Sequence, residues 1–525
     1  MASPDSNFGH LPSTTELAPQ ACQQCNRLKR KCHRELPACS LCIRLGKPCK
    51  YPTRRKPYGS GSSSDVDLFS PPASTAVSNV TDNNTATYPP YPFPDAFFLD
   101  RELFNSVAHN LLGSVYLVPA QISQLLGTDL TAIYESYFSS IDTWFPFISK
   151  KRLIQSIQAA HPIEASGISL VLLCMRLAVD DPQPGLSAAR STLYKTARNH
   201  LNNVEEELPT SLHVFQSLIL VALYEVGHGI FPAAYLTIGR AARMAILRGA
   251  HDRNNATQLF RTPPTWTYWE EERRTWWATM ILERYINIGP KGLPLATPEP
   301  VHGELLPTSD NEWLRGGIGA NQALYVDTFS LDSEIGPFAR VCQAAHVLGR
   351  LIHHRNGQKD SLNRKFRLDE AHQLNNTLMA LDTHLSRAMD VPQDGVPVST
   401  VDVALCTSAR FVLYHMYACN EPDVLDERRE EESRLQAICI EGLKQAIATR
   451  LPSLAWHVMQ QGAAFPERSN PLVIQCLYDS AAECQWLLEE GETTIDGTTT
   501  TLKLLVEALT FLARRWSVAG NCIPR

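Results

Sequence analysis

Six cysteines crowd into one short segment near the beginning of the sequence. They form two copies of the spacing C-x2-C-x6-C, the first with Cys22, Cys25 and Cys32 and the second with Cys39, Cys42 and Cys49. Structural zinc takes four ligands in a tetrahedron, and thiolates are among its usual ligands. No histidine stands at a ligand spacing, so six thiolates complete two zinc sites only if two of the sulfurs are shared.

The internal symmetry of this segment predicts which sulfurs are shared. The first cysteine of each half, Cys22 and Cys39, is expected to bridge the two metals. The other four cysteines then divide into Cys25 and Cys32 on one zinc, and Cys42 and Cys49 on the other. About thirty residues bury too little apolar surface to fold alone, so two Zn²⁺ ions must supply the folding free energy. A disulfide knot, a redox-sensing zinc site and a thiolate metal store are the alternatives.

The cysteine segment is strongly basic within an acidic chain. From Cys22 to Gly59 there are eleven Lys and Arg residues against the single acid Glu35, whereas the net charge of all 525 residues is −6. A basic block confined to one segment indicates a polyanion partner for that segment, and a solvated charged face is the alternative. Four of the basic residues lie between Cys25 and Cys32, so a helix in the first repeat is predicted to face the DNA.

Seven basic residues are the predicted contacts to double-stranded DNA. Lys and Arg hydrogen-bond to the O6 and N7 atoms of guanine, and they also neutralise phosphates. Within the first half and just beyond the cluster, these residues are Lys29, Arg27, Arg30, Lys31, Arg54, Arg55 and Lys56. The last three extend the basic surface beyond the cluster together with Lys50. These four residues are expected to follow the DNA backbone, to serve as a nuclear import signal, or both.

The pattern resembles the fungal zinc binuclear cluster family of transcription factors over the whole of Cys22–Cys49. In that family a short helix after the first C-x2-C enters the major groove and reads a CGG-type triplet. The resemblance implies that Lys29 is the base-reading lysine and that Pro37 is the family's loop proline. It also implies that Cys22 and Cys39 bridge the metals and that the protein regulates RNA polymerase II genes in the nucleus.

A linker without basic residues follows the cluster. No Lys or Arg occurs from Pro57 to Asp100, and the stretch is rich in Gly, Ser and Pro, which predicts a disordered linker. No sustained heptad pattern lies between Lys50 and Arg101, so a zipper is not expected, and a monomer and a homodimer through the body stay as alternatives. The predicted organisation is a disordered tail 1–20, a Zn2Cys6 domain 21–52, a basic stretch and linker 53–105, and an all-α regulatory region 106–525.

The region beyond the linker shows helical periodicity and few strand signals. Apolar residues recur at three- and four-residue steps, so three amphipathic helices are expected, each with one buried face. A turn at Gly227–Pro232 is expected between the first and the second of these helices. The three stripes run through Phe215–Val226, Ala234–Ile246 and Trp277–Ile288. Ion pairs that brace helices are expected from Arg273, Arg274, Glu283 and Arg284, and the pair His353-His354 is expected at the surface.

Several stretches of this region resemble the middle homology region of the same family, over about residues 130–310. The stretches are Tyr137-Phe138, Trp144–Phe147, Ala233–Gly239, Arg243–Ala245, Glu271–Arg274 and Trp276-Trp277. Glu283-Arg284 departs from the family's Asp-Arg pair, and Lys291–Pro294 matches its Gly-Arg-Pro segment loosely. The resemblance implies a regulatory rather than a catalytic region, and one that in some members binds a small effector.

The sequence therefore predicts a small zinc cluster module joined by a disordered linker to a large all-α regulatory domain, acting as a DNA-binding activator. Its predicted partners are CGG-type duplex DNA, transcription machinery or coactivators and a small-molecule effector, and its targets include a secondary-metabolite gene cluster. No apolar run reaches the roughly 18 residues of a membrane span, and nucleotide-loop, metalloprotease and hydrolase signatures are missing, so neither a membrane protein nor an enzyme is expected. The alternative is a zinc- or redox-sensing regulator whose body binds an effector and whose output is not direct DNA binding.

Overall fold

The computed structural model divides the chain into two compact units, Met1–Ala86 and Thr87–Arg525. The domain boundaries predicted at residues 20, 52 and 105 stay predictions, and residues 52–116, which include the whole of the predicted basic stretch and linker 53–105, lie outside the described part. The described residues are 17–18, 20–27, 31–44, 46–51, 117–159, 161, 164–181, 187–209, 211–252, 263–289, 292–325, 335–357, 364–390, 400–418, 430–489, 491 and 495–522.

The first unit contains two short helices in equivalent places of the two cysteine repeats. Helix α1, Gln23–Arg27, begins directly after Cys22, and helix α2, Ser40–Arg44, begins directly after Cys39. The interior of this unit is made of sulfur rather than hydrocarbon, because four cysteines with at most 2% exposure form its buried cluster. The zinc cluster module that the sequence predicts is thus present as a separate unit.

The second unit is helical, as predicted. Within the described residues its only β-type pairing is an isolated bridge between Leu305 and Ala323. Its α-helices are α3 Ala120–Leu126, α4 Leu130–Ser139, α5 Lys150–Ala159, α6 Ala165–Val179, α7 Thr192–Glu207, α8 Leu212–Gly227, α9 Ala233–Leu247, α10 Trp266–Ile286, α11 Asp310–Arg315, α12 Pro337–Asn356, α13 Arg364–Asp390, α14 Val401–Tyr417, α15 Glu430–Gln445, α16 Leu451–Ala464, α17 Ile474–Glu489, α18 Ile495–Leu512 and α19 Ser517–Asn521. One turn of π-helix, Ala446–Arg450, joins α15 to α16.

Helix α8 lies at the centre of this unit, and it differs from the sequence-based expectation. It contacts α6, α9 and α10, and every residue from Val214 to Gly227 is buried. The prediction of one buried face was wrong here, because a helix that is apolar on most sides is covered on all of them. The predicted turn is confirmed, since α8 ends at Gly227 and α9 begins at Ala233.

Buried ion pairs brace α10, as the sequence predicts. The Arg274 guanidinium is fully buried and donates to Glu270 at 3.1 Å, to Asp310 at 2.9 Å and to the Pro146 carbonyl at 2.9 Å. Arg273 pairs with Glu270 at 2.7 Å. The buried Arg284 lies 3.6 Å from a Glu283 oxygen.

The predicted surface position of the His353-His354 pair is correct for one ring only. The side chain of His353 is 51% exposed and its Nε2 atom lies 3.0 Å from Glu299. His354 is buried, with Nδ1 2.6 Å from Glu370 and Nε2 2.8 Å from the Tyr417 hydroxyl. The prediction was wrong for His354 because successive residues of an α-helix point about 100° apart. In the described part of the chain, no helix has both the length and the apolarity that crossing a membrane requires.

Candidate metal centre and nucleic-acid interface

The six cysteines of the first unit converge into two groups of four sulfurs. In each group, the four Sγ atoms lie within 4.8 Å of one another, and both groups contain Cys22 and Cys39. The groups are Cys22, Cys25, Cys32 and Cys39, and Cys22, Cys39, Cys42 and Cys49. The two cysteines that open the repeats are therefore the ones that both groups share.

The spacing of the sulfurs fits tetrahedral zinc. A tetrahedron with Zn–S bonds near 2.3 Å places its sulfurs about 3.8 Å apart. Within a group, the Sγ atoms of Cys22 and Cys39 are 3.9 Å apart, those of Cys22 and Cys42 3.6 Å, and those of Cys25 and Cys39 3.6 Å. His33 belongs to neither group, and its Nδ1 atom lies 2.7 Å from the Ser40 hydroxyl.

Backbone amides around the cluster favour charged sulfur. The amide of Cys25 donates to the Cys22 Sγ atom at 3.4 Å, and the amide of Cys39 donates to the Cys49 Sγ atom at 3.3 Å. Burial raises the pKa of the Cys25 thiol and raises that of Cys42 to about 12. Burial also opposes ionisation of Cys39, but hydrogen bonds from Cys42 lower the pKa of that thiol below its usual value. A metal ion must displace protons from this cluster, so its binding depends on pH.

The structure describes only two of the seven predicted DNA contacts. Lys31 is exposed on the module. Arg27 ends α1, and its side chain lies outside the described part of the chain. The other five predicted contacts also lie outside the described residues: Lys29, Arg30, Arg54, Arg55 and Lys56.

Four further basic residues are exposed on the module, namely Arg34, Arg44, Lys47 and Lys50. Lys50 was predicted to extend the basic surface beyond the cluster, whereas the other three were not among the predicted DNA contacts. Their sequence signal was their membership of the same basic block.

A groove along α9 is a concave feature of the second unit. Its volume is about 560 Å³, and apolar residues of α9 supply most of its wall, namely Tyr235, Leu236, Ile238, Met244 and Leu247. Arg240 at its rim pairs with Glu205, and Arg243 is exposed beside it. Glu283 on α10 lies at its base, where it accepts hydrogen bonds from the amide and hydroxyl of Thr297.

Two protein-family models match the chain, one over the cysteine module and one over part of the helical region. A model described as the fungal Zn(2)-Cys(6) binuclear cluster domain matches residues 20–58. A model described as the fungal specific transcription factor domain matches residues 134–353. The first match contains all six clustered cysteines, and the second contains helices from α5 to α11 and the groove along α9.

Characterised relatives are fungal regulators. Transcription factor BOA15 of Botryotinia fuckeliana (strain B05.10) is 36% identical over 184 residues, which cover 34% of this chain and 98% of that protein. The pigment biosynthesis transcriptional activator pigB of Monascus ruber is 28% identical over 389 residues, covering 67% of this chain and 66% of that protein. The azaphilone cluster-specific transcription factor azaR of Aspergillus niger is 23% identical over 351 residues, covering 64% of this chain and 72% of that protein.

No solved structure is similar to the chain. The shared sulfurs, the adjoining helical region and these relatives all point to one class of regulator, and that class is not a class of enzymes. The chain belongs to the fungal Zn(2)-Cys(6) binuclear cluster family of DNA-binding transcription factors.

Proposed function

We propose that this protein is a nuclear activator that reads CGG-type sites and switches on a secondary-metabolite gene cluster. The observation that carries the proposal is the pair of four-sulfur groups sharing Cys22 and Cys39. A relative named as a pigment biosynthesis transcriptional activator and another named as an azaphilone cluster-specific transcription factor support the pathway class. The zinc- or redox-sensing alternative without direct DNA binding is not favoured, because the family is defined by DNA binding.

Two Zn²⁺ ions hold the module together in this proposal. Cys22 and Cys39 bridge them, Cys25 and Cys32 complete one ion, and Cys42 and Cys49 complete the other. The ions supply the folding free energy that a unit without a hydrocarbon core lacks. In this proposal the ions only hold the fold, and the contacts to DNA come from the basic residues between Cys25 and Cys32.

Lys29 reads guanine in the major groove, and the other basic residues neutralise phosphates. Specificity therefore rests on one side chain and affinity on many. The phosphate contacts are Arg27, Arg30 and Lys31, followed by Arg54, Arg55 and Lys56 beyond the cluster. The last three also suit a nuclear import signal.

The test compares Lys29→Ala with Lys47→Ala, a lysine of the second repeat, in the full-length protein. Affinity for a CGG-containing duplex and for a scrambled duplex is measured across a salt series, together with zinc content. Lys29→Ala should lose roughly 10- to 100-fold of the preference for CGG, which corresponds to about 1–3 kcal/mol, with two zincs retained. Lys47→Ala should weaken binding to both duplexes alike. Undiminished preference in Lys29→Ala would overturn the assignment of the reader.

The targets and the sign of regulation are tested in cells. Sites bound by the protein are mapped across the genome, and transcripts are compared with and without the gene. Binding at CGG-type sites beside one biosynthetic cluster, with loss of its transcripts on deletion, is the expected result. Raised transcripts on deletion would make the protein a repressor and overturn the activator role.

A second function, binding of a small effector by the helical region, is favoured by the groove along α9. Its volume of about 560 Å³ lies within the range of ligand sites, and its wall is mostly apolar with an exposed guanidinium, that of Arg243, at the rim. An apolar molecule with one anionic group suits this lining. The test uses an anilinonaphthalene sulfonate probe, with its uncharged phenylnaphthylamine analogue as the control ligand.

Variants of two residues separate the groove from other apolar surface. A Cβ at Gly239 would meet nothing within 4 Å, so Gly239→Phe fills the groove with little strain. It should abolish binding of both probes, whereas Arg243→Gln should weaken only the sulfonate. Unchanged sulfonate binding in Gly239→Phe would refute the site.

The proposal extends to protein partners and to the oligomeric state. Transcription machinery or coactivators contact an activator of this kind, and the oligomeric state is a monomer or a homodimer formed through the body, without a coiled coil. The acidic residues in the stretch Asn420–Arg434 suit an activation surface, and the three arginines among them make a solvated helix or loop the alternative. The described part of this stretch begins α15, where Glu432 pairs with Arg364 and Glu430 with Arg434. Sedimentation of the full chain with and without duplex decides between one and two copies.

A further inference from the structure

Three segments of the zinc module meet at Arg34 and Glu35, in the loop between the two cysteine repeats. Before the cluster, the Ala18 amide donates to the Arg34 carbonyl at 2.7 Å, and Leu17 forms an isolated antiparallel bridge with Glu35. After the cluster, the Tyr51 hydroxyl donates to the Glu35 carbonyl at 2.7 Å. The chain is therefore tied to one loop both where it enters the module and where it leaves it.

The side chain of Glu35 makes this loop part of the metal scaffold. Its Oε2 atom accepts a hydrogen bond of 2.7 Å from the amide of Ser40, the first residue of α2. Helix α2 carries Cys42, and Cys39 directly precedes it. Because α2 is capped from the loop, the position of the loop is coupled to the position of these two sulfurs. Glu35 is also the only acid between Cys22 and Gly59.

Two successive residues hold the chain as it leaves the module. The carbonyl of Lys50 accepts a hydrogen bond of 2.8 Å from the amide of Gln23 at the start of α1. The ring of Tyr51 is half-buried against the cysteine cluster, and its hydroxyl reaches the Glu35 carbonyl. The exit is thus fixed at two separate points, one at the start of α1 and one on the loop between the repeats.

We propose that Tyr51 is a positioning residue for DNA binding, which sets the direction in which the chain leaves the module. The bond from its hydroxyl to the Glu35 carbonyl, together with the bond from the Gln23 amide to the Lys50 carbonyl, holds the last two described residues of the module, of which Lys50 is exposed. Arg54, three residues after Tyr51, opens the stretch assigned above to phosphate contacts. This inference rests on the proposed DNA-binding function.

The physical reason lies in the cost of ordering a chain. A basic segment that leaves the module in any direction loses conformational freedom for each phosphate it contacts. A segment that leaves in a fixed direction has already lost part of that freedom, so more of its charge contributes to binding. Since phosphate contacts carry little sequence information, Tyr51 should affect affinity and its salt dependence but not the preference for CGG.

The experiment uses Tyr51→Phe in the full-length protein, which removes the hydroxyl and keeps the ring. Zinc content, the ratio of affinities for CGG and scrambled duplexes, and the slope of log affinity against log salt are measured. We expect two zincs and an unchanged ratio. For every phosphate that the variant no longer neutralises, the slope should become shallower by about 0.9 and affinity should fall about fivefold at 0.15 M salt. Tyr58→Phe, another tyrosine beyond the cluster, is the matched control.

A double-mutant comparison distinguishes positioning from simple stabilisation. Tyr51→Phe is introduced again into a variant with Ala in place of Arg54, Arg55 and Lys56. If Tyr51 acts through that stretch, the substitution should have at most a small further effect on the slope in this background. Loss of zinc, a wild-type slope in Tyr51→Phe, or the same effect in both backgrounds would each overturn the inference. Failure of the unmodified protein to prefer CGG would instead refute the proposed function itself.

Discussion

The zinc module and the helical region have opposite interiors. Among the described residues of the module, the buried ones are four cysteines and Ala18, whereas α8 alone buries fifteen residues, of which only Gln216, Ser217 and Glu225 are polar. The described module has no hydrocarbon core that would hold its fold together once the metal is removed, and the helical region has no metal site among its described residues. The two units therefore draw their stability from different sources, so each can be disturbed while the other serves as a control.

Their side chains also make the two units separately observable. All nine tryptophans of the chain lie between Trp144 and Trp516, in the second unit. Tryptophan fluorescence therefore reports on the helical region alone. Zinc release reports on the module alone, since the described helical region has no group of ligands suited to a metal.

Removal of the metal should have the largest effect and should be confined to the module. Structural zinc contributes on the order of 10 kcal/mol to the folding of such units, so a chelator should abolish DNA binding. Cys39→Ala should do the same, because it removes a sulfur that both four-sulfur groups share. The unfolding transition followed by tryptophan fluorescence should not move. A folded module with two zincs in Cys39→Ala would contradict the bridging assignment.

The converse disturbance is Arg274→Ala in the helical region. This guanidinium is fully buried and compensates the carboxylates of Glu270 and Asp310, so its loss leaves the buried Glu270 with only the partly buried Arg273 and removes the ion pair of Asp310. The expected cost is about 3–5 kcal/mol in urea unfolding, with zinc content unchanged. Arg434→Ala is the control, since its pair with Glu430 is 66% and 87% exposed and should contribute less than about 1 kcal/mol. Equal losses in the two variants would show that burial does not set the cost.

Acid should weaken both units, but for different reasons. Burial lowers the pKa of His228 and of His346 to about 4, from the 6.5 of an exposed histidine. The unfolded chain then binds more protons than the folded one, so stability is complete above pH 6.5 and is lost as the pH falls toward 4. Each histidine should contribute on the order of 1–3 kcal/mol to this loss.

The pH prediction is checked by urea unfolding at pH 7.5 and pH 5, followed by tryptophan fluorescence. His228→Gln, which removes one titrating ring, should make the dependence on pH shallower. Zinc release from the module, followed with a chelating dye, should show its own pH dependence, because protons compete with metal for thiolates. A fluorescence transition that does not depend on pH would contradict the assignment of neutral buried histidines.

What the sequence could predict depends on how far apart the contacting residues lie along the chain. The cysteine groups were predictable because all six ligands fall within 28 residues and repeat one spacing. Helices α9 and α10 were predictable from apolar periodicity. The burial of His354 was not, because its partners Glu370 and Tyr417 lie 16 and 63 residues away. The groove likewise joins α9 to Glu205 and Glu283, which no local pattern connects.

Replacing single glycines by alanine should have the smallest effects on the stability of the two units. A Cβ at Gly442 in α15 would lie 2.6 Å from the Tyr414 ring, which is buried and cannot move away, so Gly442→Ala should cost about 1–3 kcal/mol in the helical region. Gly239→Ala, with open space around its Cβ, should be neutral or stabilise α9 by up to about 1 kcal/mol.

In the module the same substitution should act through the backbone instead of through packing. Gly46 has φ of +59° and nothing within 4 Å of an added Cβ, so Gly46→Ala should cost about 1 kcal/mol purely from left-handed geometry. The measurement is competition for zinc with a chelator, where Gly46→Ala should release metal several-fold more readily. Gly46→Asn, which tolerates this conformation better, should restore most of the affinity for zinc. If Asn proved no better than Ala, the backbone conformation at Gly46 would not be what limits the module, and packing would govern both units after all.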